Sequence, residues 1–244
     1  MRILLLEGTT DVAFFVPILK KLYGFSEENC KDILGRFKLE GLSNPICLIQ
    51  NGTRLIVFHA GGKNKQKQAL KAIILAIKMG YISDVEILGV ARDVDHEHDV
   101  KNWTKSVIKN GGFSVREDGE FLVIDDLNLK VAILGIGNYS VDDFGIPSFE
   151  LKRELEAVIT DIAQKDSVTT KFKASLESLS NDAGRKLKPK DIMHVLAIAK
   201  DFDGDSMSGL YRKFVESVLD NNKDTVVEVL EYTGIDSFLR TLTE

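Results

Sequence analysis

The chain has 244 residues, 44% of them hydrophobic and 28% charged, which is enough apolar matter for a buried core and excludes a disordered chain. A net charge of −5 argues against a protein coated with nucleic acid over its whole surface, and the longest apolar runs fall far short of the ~20 residues that cross a bilayer. Cys30 and Cys47 have neither zinc-ligand spacing nor the density of a disulfide scaffold and read as ordinary, partly buried residues, and no zinc pattern can be built from His59, His96, His98 and His194.

Residues 2–7 form an apolar run without alternation, the pattern of a strand buried on both faces, and the run ends on Glu7 and Gly8. Glu7 and Asp11 also break the run too early for a secretory leader, so the chain reads as cytoplasmic. A helix is predicted over 11–23, capped by Thr9 or Thr10, with Pro17 expected to kink it or to start a new turn. A short helix is placed near 29–38. Strands at 46–49 and 54–58 flank Asn51-Gly52, a hairpin signal. The second of these ends in Ala60-Gly61-Gly62-Lys63 and leads into a helix over 64–79 that Gly80 closes. A third buried strand, 85–90, runs on to Asp93 and Asp95, followed by a helix at 98–109. Strands are then expected at 113–116, 120–124 and 129–136. After Pro147 only helices follow, at 148–164, 169–179, 189–200, 207–221, 224–231 and 235–242.

The alternation of strand and helix predicts an α/β fold with a mainly parallel sheet flanked by helices over 1–147, and an all-helical C-terminal extension over 148–244 packed on it. Three buried strands thus end in polar signals: Glu7 with Asp11, Gly61-Gly62-Lys63, and Asp93 with Asp95. In a parallel sheet such ends lie along one edge and can share one crevice. Carboxylates gathered there repel one another unless a cation neutralises them, and hard oxygen donors without sulfur or imidazole favour Mg²⁺ or Mn²⁺. An acidic centre beside the lysine-rich stretch 63–78 and the basic stretch 185–190 suits a metal site that acts on a polyanion.

Leu-Leu-Leu-Glu7-Gly8-x-x-Asp11 followed by Ile-Leu-Gly-Val-x-x-Asp93-x-Asp95 resembles the Toprim domain of topoisomerases, DnaG-type primases and OLD-family nucleases. The segment Ala60-Gly61-Gly62-Lys63 is similar to the glycine-lysine segment of OLD-like members, and the size without an ATPase domain resembles small stand-alone archaeal Toprim proteins of unknown function. The resemblance implies a Rossmann-like sheet. It implies Glu7 as general acid/base or metal ligand, Asp93 and Asp95 as holders of the divalent ion, Asp11 as ligand of a second ion, and Lys63 as the group that stabilises charge on the scissile phosphate. There is no tyrosine-bearing cleavage domain and no zinc-binding primase module.

Each residue also has a plainer use. Glu7 and Asp11 can serve the start of the first helix, and Glu97 and Asp99 the start of the third. Lys63 shares its helix with Lys65, Lys67 and Lys71, a solvated lysine face. His96 and His98 read as exposed residues, the run 185–188 as a solvated loop, and Trp103 as a residue packing on the sheet. Asp201-x-Asp203-Gly204-Asp205 has its glycine in the wrong place for an EF-hand, so no calcium loop is expected. The expected activity is divalent-metal-dependent phosphodiester chemistry on DNA or RNA, that of a nuclease. The alternatives are a metal-dependent nucleic-acid or nucleotide binding module that needs a protein partner for turnover, and a nucleotidyl transferase.

Overall fold

The structure, a computed structural model, describes residues 1–30, 45–94, 99–137, 154–166, 169–183, 189–201 and 203–244. Eight strands form one sheet in the order β2-β3-β4-β1-β5-β8-β7-β6. They are β1 (Arg2–Leu6), β2 (Ser26–Glu28), β3 (Ile46–Gln50), β4 (Thr53–His59), β5 (Ile87–Asp93), β6 (Val115–Asp118), β7 (Phe121–Ile124) and β8 (Leu129–Ile136). The four central strands, β4, β1, β5 and β8, are mutually parallel, and antiparallel hairpins widen both edges. This is the α/β class that the sequence predicts, with the parallel pairing confined to the centre.

Residues 2–6 are buried throughout because β1 is central and covered on both sides. The pleat sends Leu4 and Leu6 into one core and Ile3 and Leu5 into the other. The second core is closed by α2 (Lys63–Lys78) and α3 (Val100–Lys109), the first by α1 (Thr9–Lys21) and by helices from the C-terminal part of the chain. Those are α4 (Leu155–Lys165), α5 (Thr169–Ala183), α6 (Pro189–Lys200), α7 (Met207–Asn221), α8 (Lys223–Tyr232) and α9 (Ile235–Thr243). Helix α7 lies along α1, and α9 lies on the sheet itself, against β1, β4, β5 and β8. Gly89 of β5 makes room for it: a Cβ there would stand 2.7 Å from Leu242 and 3.1 Å from Phe238.

Several expectations are corrected. Helix α1 runs unbroken through Pro17, which is buried with Val16 and Ile18, so packing holds the helix where its backbone bond is lost. Its N-cap is Gly8, not Thr9 or Thr10. Strand β2 was not expected, since Ser-Glu-Glu carries no apolar signal and is held at the sheet edge by pairing alone. Cys30 and Cys47 are joined in a disulfide, not separate. The antiparallel register sets Glu28 opposite Cys47, and the chain two residues on still lies within bridging reach, with a Cα–Cα distance of 5.6 Å. Helix α3 begins at Val100, with Asp99 as its N-cap accepting the Asn102 N–H at 2.8 Å. The helix placed near 29–38 falls mostly outside the described residues, as do Asp95, His96, Glu97, His98, the run 185–188 and the 147/148 boundary. Among the described helices none is long and apolar enough to cross a membrane.

Candidate functional site

The C-terminal ends of β1, β4 and β5 meet at a crevice of about 530 Å³ lined by Glu7, Asp11, Gly61, Gly62, Lys63 and Asp93. Backbone bonds fix this edge. Ala60 donates its N–H to the Leu6 carbonyl at 3.1 Å, and Gly62 donates to the Glu7 carbonyl at 2.9 Å, so the turn after β4 is stitched to the turn after β1. Gly61 and Gly62 take φ values of 74° and 125°, which side chains rarely adopt, and open space lies where their Cβ atoms would be. This turn delivers Lys63 as the first residue of α2, half-buried, while Lys65 and Lys67 of the same helix point to solvent.

The acids are closely coupled. Asp11 is 4% exposed, and one of its oxygens accepts the Gly8 N–H at 2.9 Å. The other, Oδ1, is buried without a hydrogen bond. Burial, then the neighbouring Glu7, push the Asp11 carboxyl up to about 7 despite the Gly8 amide. Asp93 is also pushed well above the usual carboxylate range, first by burial and then by Asp11 and Glu7, with smaller contributions from Glu156 and Glu154. Its Oδ1 accepts the N–H of Leu155, the first residue of α4, at 3.1 Å. Of the residues singled out from sequence, Glu7, Asp11, Lys63 and Asp93 are therefore brought to one crevice.

Three further side chains of this region come from the C-terminal helices. Glu154 and Glu156 flank the Asp93-capped start of α4, and Lys190 reaches the crevice from α6. Glu156 is 5% exposed and accepts the hydroxyl of Tyr211, a fully buried tyrosine of α7 whose ionisation is driven up by burial and by the carboxylates Glu156, Asp11 and Asp93. One signal could have found Glu156: it is a carboxylate within Leu155-Glu156-Ala157-Val158-Ile159, a stretch otherwise apolar. Glu154 and Lys190 carry no such mark, since their approach depends on how the helices dock. Asp99 is a helix cap and Asp203 pairs with Lys213 at 2.7 Å, so both have structural uses. Trp103 lies under the Arg92 guanidinium, 4.1 Å from its ring centre, on the far side of β5 from this crevice.

Among the described residues no three histidine, cysteine or carboxylate side chains are arranged to hold one metal ion. Backbone amides occupy one oxygen each of Asp11 and Asp93. The donor set nevertheless fits a hard divalent cation: it is all carboxylate, it is mutually repulsive, and its most buried member keeps an oxygen without a hydrogen bond.

The chain is similar to the uncharacterized protein MJECL12 of Methanocaldococcus jannaschii, with 70% identity over 226 residues and 93% of each chain covered. It is also similar to a solved structure, that of hypothetical protein PH0156 from Pyrococcus horikoshii OT3, with a TM-score of 0.85 and 32% identity over 100% of both chains. Residues 1–233 match the family described as protein of unknown function (DUF3226), and the chain belongs to that family.

Proposed function

We propose that this protein is a Mg²⁺- or Mn²⁺-dependent phosphodiesterase acting on DNA or RNA, a nuclease of the Toprim kind. The observation that carries the reading is the meeting of Glu7, Asp11 and Asp93 at the ends of adjacent parallel strands, with both aspartates held above the usual carboxylate range and Lys63 beside them. Buried acids that resist ionisation together are what a divalent cation stabilises. Asp11 and Asp93 would hold the ion, joined by Asp95 as the motif implies. A cation bound there would neutralise phosphate oxygens and acidify a water molecule. Glu7 takes the proton of the attacking water. Lys63 and the amides at the start of α2 face the phosphate, since a helix N-terminus preceded by glycines suits an anion. Lys190 from the opposite wall adds a second cation against the strand.

Purified protein should nick or cut DNA or RNA in Mn²⁺ or Mg²⁺ and not in EDTA, and Glu7→Gln or Asp93→Asn should lower the rate by at least ~10³-fold, the scale on which one essential charged group acts. Activity that survives both substitutions would overturn the assignment. A second reading, a binding module without turnover of its own, is favoured by the amide bonds that already engage Asp11 and Asp93. It predicts metal-dependent affinity for nucleic acid with no product formed until a partner protein is added.

A further inference from the structure

A second cavity, of about 360 Å³, opens beside the acidic crevice, and Thr9 lines both. The start of α7 separates them: Met207 faces the crevice, while Ser206 and Ser208 on either side of it face the second cavity. Its walls are apolar, from Val12 and Val16 of α1 and Ile46 and Val57 of the sheet. Its polar groups are few. Arg212 lines it while its Nε is held by Glu216 at 2.9 Å. His59, at the end of β4, lines it too, and burial lowers its pKa, so the imidazole is neutral near pH 7 with one donor and one acceptor.

The distinctive feature is Pro17. It lines the cavity together with Ala13, four residues earlier in the same helix. Proline has no N–H, so the Ala13 carbonyl lacks the helical donor that it would otherwise have. An apolar slot with an acceptor at its wall, a neutral imidazole and an arginine that can stack on a flat ring matches the chemistry of an amino-bearing nucleobase. The size is at the small end of ligand cavities, and the slot adjoins the crevice where a phosphate would be held.

The geometry points to a base-binding subsite, in which the slot between α1, β4 and the start of α7 receives one unstacked nucleobase with an exocyclic amine, next to the phosphate being cut. It rests on the nuclease reading for its biological use, but not for its test. The substrate class that follows is a strand with an unpaired or displaced nucleotide at the cleavage position, not an intact duplex, because a base inside a duplex cannot enter a slot.

The test uses adenosine, which has no phosphate, and the full chain in EDTA, so neither the metal nor turnover is involved. Saturation-transfer NMR should show binding to the wild type. Ser208→Phe, which fills the mouth of the slot, should weaken it at least tenfold. Pro17→Ala restores an N–H to the Ala13 carbonyl and should weaken it several-fold without lowering Tm, which separates loss of the acceptor from loss of the fold. No binding by the wild type, or equal binding by both variants, overturns the subsite. Metal-dependent cleavage without adenosine binding would leave the nuclease reading standing and remove the slot. Adenosine binding without any cleavage would keep the slot and remove the nuclease.

Discussion

At the scale of single residues, Asp11 makes the strongest case that the crevice is built for a cation. In the metal-free protein its carboxyl titrates near 7, against an ordinary value of 3.8, chiefly because it is buried and secondarily because of Glu7. Between those two values the folded chain keeps a proton that the unfolded chain has lost. Stability from this group is therefore full below 3.8, falls as pH rises toward 7 and stays low above it. Asp11→Asn keeps an oxygen for the Gly8 N–H and removes the charge. In EDTA at pH 8 it should raise Tm by roughly 2–4 °C for each kcal/mol of relieved strain between the acids, and the gap from wild type should close toward pH 4. Added Mn²⁺ should raise Tm of the wild type and do less for the variant, since only a ligand that prefers the folded state stabilises it. A variant less stable than wild type at pH 8 would show that the acid is structural and not a latent ligand.

Secondary elements carry two further tests. Helix α9 rests on β5 only because residue 89 lacks a side chain, so Gly89→Ala should cost about 1–3 kcal/mol by overpacking. Leu242→Ala alone should cost about 2–5 kcal/mol. Their sum should exceed the cost of the double variant by at least ~0.5 kcal/mol, because each relieves the other, and urea unfolding of all four proteins measures the cycle. The Cys30–Cys47 bridge spans 17 residues, for which loop closure stabilises the fold by about 3 kcal/mol, and reduction or replacement of both cysteines by alanine should lower the urea midpoint accordingly. These two features also mark where the sequence stops being legible. Apolar runs such as Leu4-Leu5-Leu6 and Leu55-Ile56-Val57 announce central strands because burial on both faces leaves no other pattern. The hairpin at Asn51-Gly52 is legible for a different reason, since φ values of 48° and 81° demand those residues. By contrast β2 has no apolar signal, the bridge depends on a strand register, and the fit of Gly89 against α9 depends on docking. The same divide runs through the crevice. Glu7, Asp11, Lys63 and Asp93 sit at ends of legible strands or in the turns that follow them. Glu154 and Lys190 belong to helices whose placement no local pattern dictates.

For the whole molecule, the helices after residue 154 are one wall of both the core and the crevice. One face of the sheet, through Leu4 and Leu6, shares a continuous apolar cluster with Phe14 and Phe15 of α1 and with Val158, Phe214, Leu230 and Leu239 of the C-terminal helices. Phe14, Phe15, Leu4 and Leu6 are wholly inaccessible to solvent only because α4, α7 and α9 lie over this side. A chain cut to residues 1–147 would leave that face in water, together with Asp93, whose Oδ1 would lose the Leu155 amide. Exposed apolar area of this extent drives association. The truncated chain should therefore bind ANS strongly, lack sharp near-UV circular dichroism and aggregate on concentration, whereas the full chain unfolds in one cooperative transition. A soluble 1–147 fragment that unfolds cooperatively and still cuts nucleic acid in Mn²⁺ would mean that the strand ends suffice, and that Glu154, Glu156 and Lys190 are bystanders. Loss of both folding and activity would tie the chemistry to the seam between sheet and helices, where the strands supply the acids and the helices bury them.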